Sequence, residues 1–319
     1  MDLTNAFDTF QQAVNADSEQ VNLARERRKV FKEAFKAEPD VLEVFGSGSL
    51  ARSTQLKPVH DVDLIVVFDP AAHESWGAPG SSSVDALDHV GGRVNVLLGS
   101  SSGIDGHVRL ARRRDRAVKC FIDPPEQDDA FTVDVMPVLR QADGTLLIPS
   151  KRQERWSTAD PEYLINEVAT KQQEWAYFRP MVRVLKNWRL SVPTKVKSLV
   201  IEVLALQCLP TEGSRPDALK SFFTAAAVEV NYGVEDPAKH CGLIQPDLDV
   251  DTLRAALENA RDLAEQAYAA AARGHTDVAG SLWRELFGDD FPASAPENVG
   301  AAAGAATPWP QPVPDSAQG

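Results

Sequence analysis

A chain of 319 residues with 43% hydrophobic content can bury a sizeable core or two lobes. Its 33 basic and 46 acidic side chains give a net charge of −13, which disfavours a protein that wraps long nucleic acid and leaves room only for a local basic pocket. The three scattered cysteines, Cys120, Cys208 and Cys241, have no CxxC spacing and argue against a zinc site of the usual kind. No basic opening segment leads into an apolar stretch, and no apolar run is long enough to span a bilayer, so the sequence predicts a cytoplasmic chain without a membrane segment.

In chain order, residues 3–37 carry Phe7, Phe10, Val14, Val21, Leu23, Val30 and Phe35 at roughly helical spacing, which predicts one long or broken helix. LEVFGSGS then reads as a strand and turn, and LARST, with Arg52 and Thr54, as the start of a helical turn. VDLIVVF is a short β-branched run and predicts a buried strand. Asp61 and Asp63 open it two positions apart, so a strand aims both at one face, about 6–7 Å apart. Residues 70–107 are rich in Gly and Ser at both ends, with a helical pattern (Val84, Leu87, Val90, Val94, Leu97) between.

Residues 108–150 read as strands, closed by an Ala-Asp-Gly turn at 142–144. Within them FTVDVMPVL predicts a second buried strand, in which Asp134 joins the other carboxylates if the strands are neighbours and Pro137 fits a strand end or edge. Arg109, Arg112, Arg113, Arg114, Arg116 and Lys119 form the one dense basic cluster, either a solvated strand or loop edge or a phosphate-facing or partner-facing rim. Cys120 and Cys208 sit in apolar runs and read as core. From Asp160-Pro161, an N-cap followed by proline at the first helical position, the pattern turns helical. The span from Tyr163 to Leu190 should break before Pro180, SLVIEVLALQCL should be buried, and the Ala-rich segment from Asp251 should end at Gly274. After Ala293 the chain is small, Pro-rich and aperiodic, which predicts a disordered tail over 294–319.

The chemistry lies in the carboxylates. In-line attack on an α-phosphate uses two divalent cations about 3.5–4 Å apart, and hard Mg²⁺ prefers carboxylate oxygens. Asp61, Asp63 and Asp134 supply such donors. Gly48 lets the backbone approach a phosphate, and Ser49 at a helix start adds a hydroxyl and N–H groups. A Gly-Ser pair or an Asp-x-Asp alone is common in loops and on surfaces; the ordered set is specific. His60 sits beside Asp61, but Mg²⁺ avoids imidazole, so it reads as turn structure. Trp156, Tyr163 and Tyr177 read as core or as base-stacking aromatics.

On these residues the chain resembles the cyclic GMP-AMP synthase/DncV-like nucleotidyltransferases (CD-NTases), bacterial synthases of cyclic oligonucleotide signals with a DNA polymerase β-type fold. The family pattern G-S-x-x-x-x-T…D-x-D is matched by Gly48, Ser49, Thr54, Asp61 and Asp63, and its third carboxylate by Asp134. Further similarity lies in Trp156 with STADP, in Lys186 within VRVLKNWR, in Ser198 within KSLVIEVLAL and in VEDPAKH, so the resemblance covers about residues 1–290. It implies an α/β (α+β) fold: a polymerase β-like nucleotidyltransferase lobe with a mixed sheet and an N-terminal spine helix over 1–155, and a helical lobe over 156–293. It also implies the activity, which is joining of nucleoside triphosphates into a cyclic di- or oligonucleotide with release of pyrophosphate, in anti-phage (CBASS) signalling.

For the site, the resemblance implies two Mg²⁺ ions, with Mn²⁺ as the alternative, on Asp61, Asp63 and Asp134. Gly48, Ser49, Thr54, Lys186 and Ser198 would hold nucleotide; the plain reading of Lys186 is a solvated helix lysine. The implied partners are nucleoside triphosphates, a downstream effector that binds only the product, and a conjugation enzyme acting at the C-terminal Gly319. Two other readings stay open from the residues: a polymerase β-type transferase that moves one nucleotide onto RNA, a small molecule or a protein, and a non-catalytic binding module that kept the fold.

Overall fold

The computed structural model describes residues 2–99 and 107–293, so the tail with Gly319 lies outside the described residues. The chain divides into two compact units. One, the sheet unit, comprises Ala16–Asn166 and Ala238–Gly242; the other, the helical unit, takes the first 15 residues, Glu167–Pro237 and the chain from Leu243.

The N-terminal pattern resolves into two helices, α1 (Leu3–Val14) and α2 (Ser18–Lys36). Asn15 is extended and Asp17 starts the second helix, its side chain accepting from the Glu19 N–H at 2.7 Å. Only α2 belongs to the sheet unit. There it is followed by β1 (Val41–Ser47), α3 (Gly48–Arg52), β2 (Asp61–Phe68), α4 (Ser82–Leu97), β3 (Leu110–Arg113), β4 (Val118–Phe121), β5 (Thr132–Arg140), β6 (Leu146–Ser150) and β7 (Arg155–Ala159). Among the described residues these make a seven-stranded mixed sheet in the order β1-β2-β5-β4-β3, with β6 on the far end of β5 and β7 beyond it. The β2–β5 pair is parallel and the other pairs are antiparallel.

The two faces of the sheet differ because side chains alternate along a strand. Val62, Leu64, Val66 and Phe68 of β2 join Val133 and Val135 of β5, Val118 and Cys120 of β4, and Phe31, Phe35, Leu87, Val90 and Val94 from α2 and α4 in the main core. The opposite face carries a small cluster, Ile65, Val67, Val138, Leu146 and Ile148, over only part of its length. Beyond that cluster the face carries polar side chains, with Phe121 and Leu110 toward the β3–β4 end. Pro137 lies inside a central strand, contrary to the sequence expectation of an end or edge. It sits where β4 pairing has stopped at Val135 and β6 pairing has not begun at Leu139, so its missing N–H breaks no ladder on that side. The β5–β6 hairpin turns at Gly144, with φ +91°, as the Ala-Asp-Gly motif predicts.

Asp160, still in the sheet unit, caps α5 (Pro161–Glu174), whose residues from Glu167 on belong to the helical unit; the Asp160 carboxylate accepts from the Tyr163 N–H at 2.9 Å. The chain breaks at residues 175–177, before Pro180, and continues as α6 (Phe178–Trp188), α7 (Ser198–Cys208), α8 (Arg215–Glu229), α9 (Val250–Ala272) and α10 (Thr276–Phe287). Asp249 caps α9, and Gly274 with φ +82° follows its end. Helix α1 groups here rather than with the sheet for a packing reason. Phe7 meets Trp283 and Phe291 edge-on, each at 5.2 Å, and Phe10 lies 4.9 Å from Phe287. Cys120 is core, as expected, but Cys208 at the end of α7 is half-buried. Among the described residues no helix is long and apolar enough to cross a membrane.

Candidate active site

The register of the sheet decides the site. Asp63 of β2 stands directly opposite Asp134 of β5, in a parallel pair whose strands lie about 4.8 Å apart. Ser47 of β1 pairs with Asp63, Lys119 of β4 pairs with Asp134, and Arg112 of β3 pairs with Lys119. Laterally paired residues share a face, so Ser47, Asp63, Asp134, Lys119 and Arg112 form one polar row across five strands. Asp61, two residues before Asp63, opens the next row on the same face, opposite Thr132. The three predicted carboxylates therefore converge on the face away from the main core.

Their electrostatics follow from that crowding. Burial, then the neighbouring Asp61 and Asp134 carboxylates, push the Asp63 carboxyl up to about 6, against the pull of Arg52 and Lys119. Asp134 is also raised, first by burial and further by Asp61, with Lys119 and Arg114 opposing. The basic neighbours therefore do not fully offset the burial and mutual repulsion of these carboxylates. Two local features match a cation site. Asp134 Oδ1 is buried with no hydrogen-bond partner among the described residues. At Gly48, φ is +69° and an added Cβ would stand 1.7 Å from Asp63 Oδ2, so the carboxylate packs directly on the glycine backbone. An all-oxygen donor set of this kind suits Mg²⁺ or Mn²⁺ better than softer ions.

The Gly-Ser turn is held from behind. Gly48 and Ser49 open the short α3, Ser53 after it is left-handed at φ 58°, and the Thr54 N–H donates to the Ser49 carbonyl at 2.9 Å. Thr54 is fully buried, so it supports the turn from inside. The His60 carbonyl accepts from the Thr132 N–H at 2.8 Å and ties β5 to the approach of β2.

The basic cluster separates into parts. Lys119 joins the polar row beside Asp134, whereas Arg113 pairs with Asp88 and Arg116 donates to Ser157 Oγ at 3.3 Å. Sequence reasoning named Lys119 only as one member of that cluster, because its alignment with Asp134 depends on an antiparallel register that no local pattern encodes. Trp156 is a packing residue, with Nε1 donating to Ser82 Oγ at 2.9 Å beside the main core.

Lys186 and Ser198 belong to the helical unit. Lys186 on α6 is 3% exposed, with Nζ 3.9 Å from Glu202 Oε2 on α7, so it is no solvated helix lysine. Ser198 is half-buried at the start of α7. Gln245, absent from the sequence reading, braces that start: its amide accepts from the Lys197 N–H at 2.8 Å and donates to the Lys195 carbonyl at 2.8 Å.

Comparison with known proteins fits this geometry. Residues 1–172 match SMODS, the Second Messenger Oligonucleotide or Dinucleotide Synthetase domain. The chain belongs to this family. By that membership it is an enzyme of the second-messenger nucleotide synthetase kind. It is 24% identical to a probable cyclic nucleotide synthase of Bacillus cereus (strain VD146), covering 91% of this chain and 97% of the relative. It is also 24% identical to the cyclic AMP-AMP-AMP synthase of Acinetobacter sp. (strain ATCC 27244 / 9458), covering 92% of this chain and 85% of the relative. Its fold is similar to that of CdnC from E. coli MS115-1, solved with ATP, at a TM-score of 0.70 and 18% identity over 92% of this chain and 99% of that one. The polymerase β-like fold implied by the carboxylate motifs is thus the fold present.

Proposed function

We propose that this SMODS protein joins nucleoside triphosphates into a cyclic di- or oligonucleotide second messenger, releasing pyrophosphate. The observation that carries the reading is the pairing of Asp63 with Asp134 across β2 and β5, with Asp61 on the same face and Gly48 packed on Asp63. The names of the two curated relatives, both cyclic nucleotide synthases, support the product class.

Asp61, Asp63 and Asp134 would hold two divalent cations, Mg²⁺ or Mn²⁺, which would supply positive charge to the attacking and leaving oxygens. The Gly48-Ser49 turn presents backbone N–H groups and a hydroxyl to the triphosphate, and the buried Thr54 keeps that turn in place. Asp134 Oδ1, unpartnered and raised in basicity by burial, is the acceptor for the proton of the attacking ribose hydroxyl. Lys119 neutralises part of the charge that remains on the row. The resemblance adds Ser198 and Lys186 as nucleotide contacts. Of these, Ser198 at a helix start is the stronger candidate, because Lys186 is already engaged with Glu202. The resemblance implies that the product acts in anti-phage signalling through an effector that binds only the product.

The test is direct. The pure protein is incubated with all four nucleoside triphosphates and Mg²⁺, treated with phosphatase and analysed by mass spectrometry. A phosphatase-resistant cyclic product, lost in Asp63→Asn, is expected. A single nucleotide attached to RNA, a small molecule or a protein would replace this reading with that of a simple transferase.

A further inference from the structure

Strand β2 carries carboxylates at one end and runs into a different chemical environment at the other. Seven residue steps separate Asp61 from Phe68, about 23 Å at about 3.3 Å per residue. Beyond Phe68, three side chains from separate elements meet: Asp40 from the turn before β1, His73 from the loop after β2, and His89 from α4. Their ligand atoms all lie within 4.8 Å of one another. His73 Nε2 is 2.9 Å and His89 Nε2 3.2 Å from the same oxygen, Asp40 Oδ2. The His89 nitrogen is buried and makes no hydrogen bond among the described residues, although it approaches that oxygen closely.

We propose that Asp40, His73 and His89 form a second metal site, separate from the carboxylate row, that takes a zinc-type divalent ion and leaves a fourth position to water. Two imidazoles and one carboxylate are a donor set for Zn²⁺ and its first-row neighbours, not for Mg²⁺. The spacing between ligand atoms is that of groups sharing one small ion. The ligands are also held in place before any ion arrives. The Asp69 N–H donates to the Asp40 carbonyl at 2.8 Å, and the Trp76 N–H donates to the His73 carbonyl at 2.9 Å. The Trp76 ring stacks on the His73 ring at 3.9 Å, and Phe68 stands edge-on to both imidazoles at 5.5 Å. This apolar collar fixes ring orientation and dries the site, the role that surrounding groups play at metal centres. The side chains of His73, Asp40 and His89 keep 13%, 19% and 31% of their surface exposed, so the cluster lies near the protein surface.

The consequence of binding is structural. The ion would tie the start of β1, the loop after β2 and helix α4 to one point. Nothing in this depends on the carboxylates being catalytic.

The test uses the full chain stripped with a chelator and an Asp61→Asn/Asp63→Asn variant of it, titrated with Zn²⁺ by calorimetry in excess Mg²⁺. One Zn²⁺ per chain should bind in both, with a rise in Tm that Mg²⁺ does not reproduce. On the same background, His73→Gln or His89→Gln should weaken binding at least tenfold, since even the partners of metal ligands are worth about 10–100-fold. Binding lost with the carboxylates, or unchanged in the histidine variants, overturns the site. If a histidine variant fails to fold, the histidine ring ¹⁵N spectrum of the native chain decides. Two of the six imidazoles should shift with one equivalent of Zn²⁺, and an unshifted spectrum overturns the site.

Discussion

Asp63 and Leu64 are neighbours in the chain and opposites in role. The strand turns Leu64 into the main core beneath α2 and α4, where it is 0% exposed, and Asp63 onto the polar face beside Asp134. One face of the sheet is filled largely by apolar side chains of the main core. The other is incomplete, with like charges in a row and a buried carboxylate oxygen lacking a hydrogen-bond partner among the described residues. Two residues that share a strand therefore answer to different selection, one to packing and the other to a ligand.

The largest expected effect sharpens that contrast. Asp63→Asn or Asp61→Ala should lower the rate of nucleotide joining by on the order of 10³-fold, several kcal/mol of transition-state charge stabilisation, while the circular dichroism spectrum stays native. Near-native turnover in either variant would break the assignment of the face. Leu64→Ala should do the reverse. It should lower unfolding free energy by about 2–5 kcal/mol through lost burial and a cavity, measured by urea denaturation, with activity per folded molecule largely kept.

Gly48→Ala tests the junction between the turn and the row. The new Cβ would collide with Asp63 Oδ2 and strain a φ of +69°, so both activity and stability should fall, the latter by about 1–2 kcal/mol.

The pH dependence of the cation-free protein comes next. Because the folded Asp63 carboxyl is raised from 3.8 to about 6, the folded state holds more proton than the unfolded state across that window. Stability should therefore decline as pH rises from about 4 to 6, and Mg²⁺ should restore it above 6, where the carboxylate is ionised. A Tm that rises with pH without cations, or is insensitive to Mg²⁺ at pH 7, would contradict the crowding. Asp63→Asn should make the decline smaller, leaving the part that the buried Asp134 contributes.

The smallest effect is expected at the rim of the row. Lys119→Met should reduce activity about tenfold and raise the Mg²⁺ needed for half-maximal rate, since one of the row's compensating charges is lost. An unchanged Mg²⁺ requirement would make Lys119 a bystander.

Much of this was readable in the chain because it is local. A strand's two-residue period put Asp61 and Asp63 on one face, and a glycine before a short helical turn marked the tight approach at Gly48. Capping residues located α5, and proline its break from α6, because helix ends leave backbone groups that particular side chains satisfy. The helical placement of Val84 through Leu97 followed from the spacing of their apolar side chains.

What only the tertiary structure decided is non-local. The opposition of Asp134 to Asp63, and of Lys119 to Asp134, is a matter of register between strands far apart in sequence. The meeting of Asp40, His73 and His89 has no sequence signature, since the three stand on different elements at irregular spacing. Lys186 looked like an ordinary helix lysine until α7 brought Glu202 beside it, and α1 went to the helical unit because its aromatic side chains fit those of α10. Backbone geometry acts over a few residues and is written in the sequence; pairing and packing join distant residues, and their energies emerge only once the whole chain has folded.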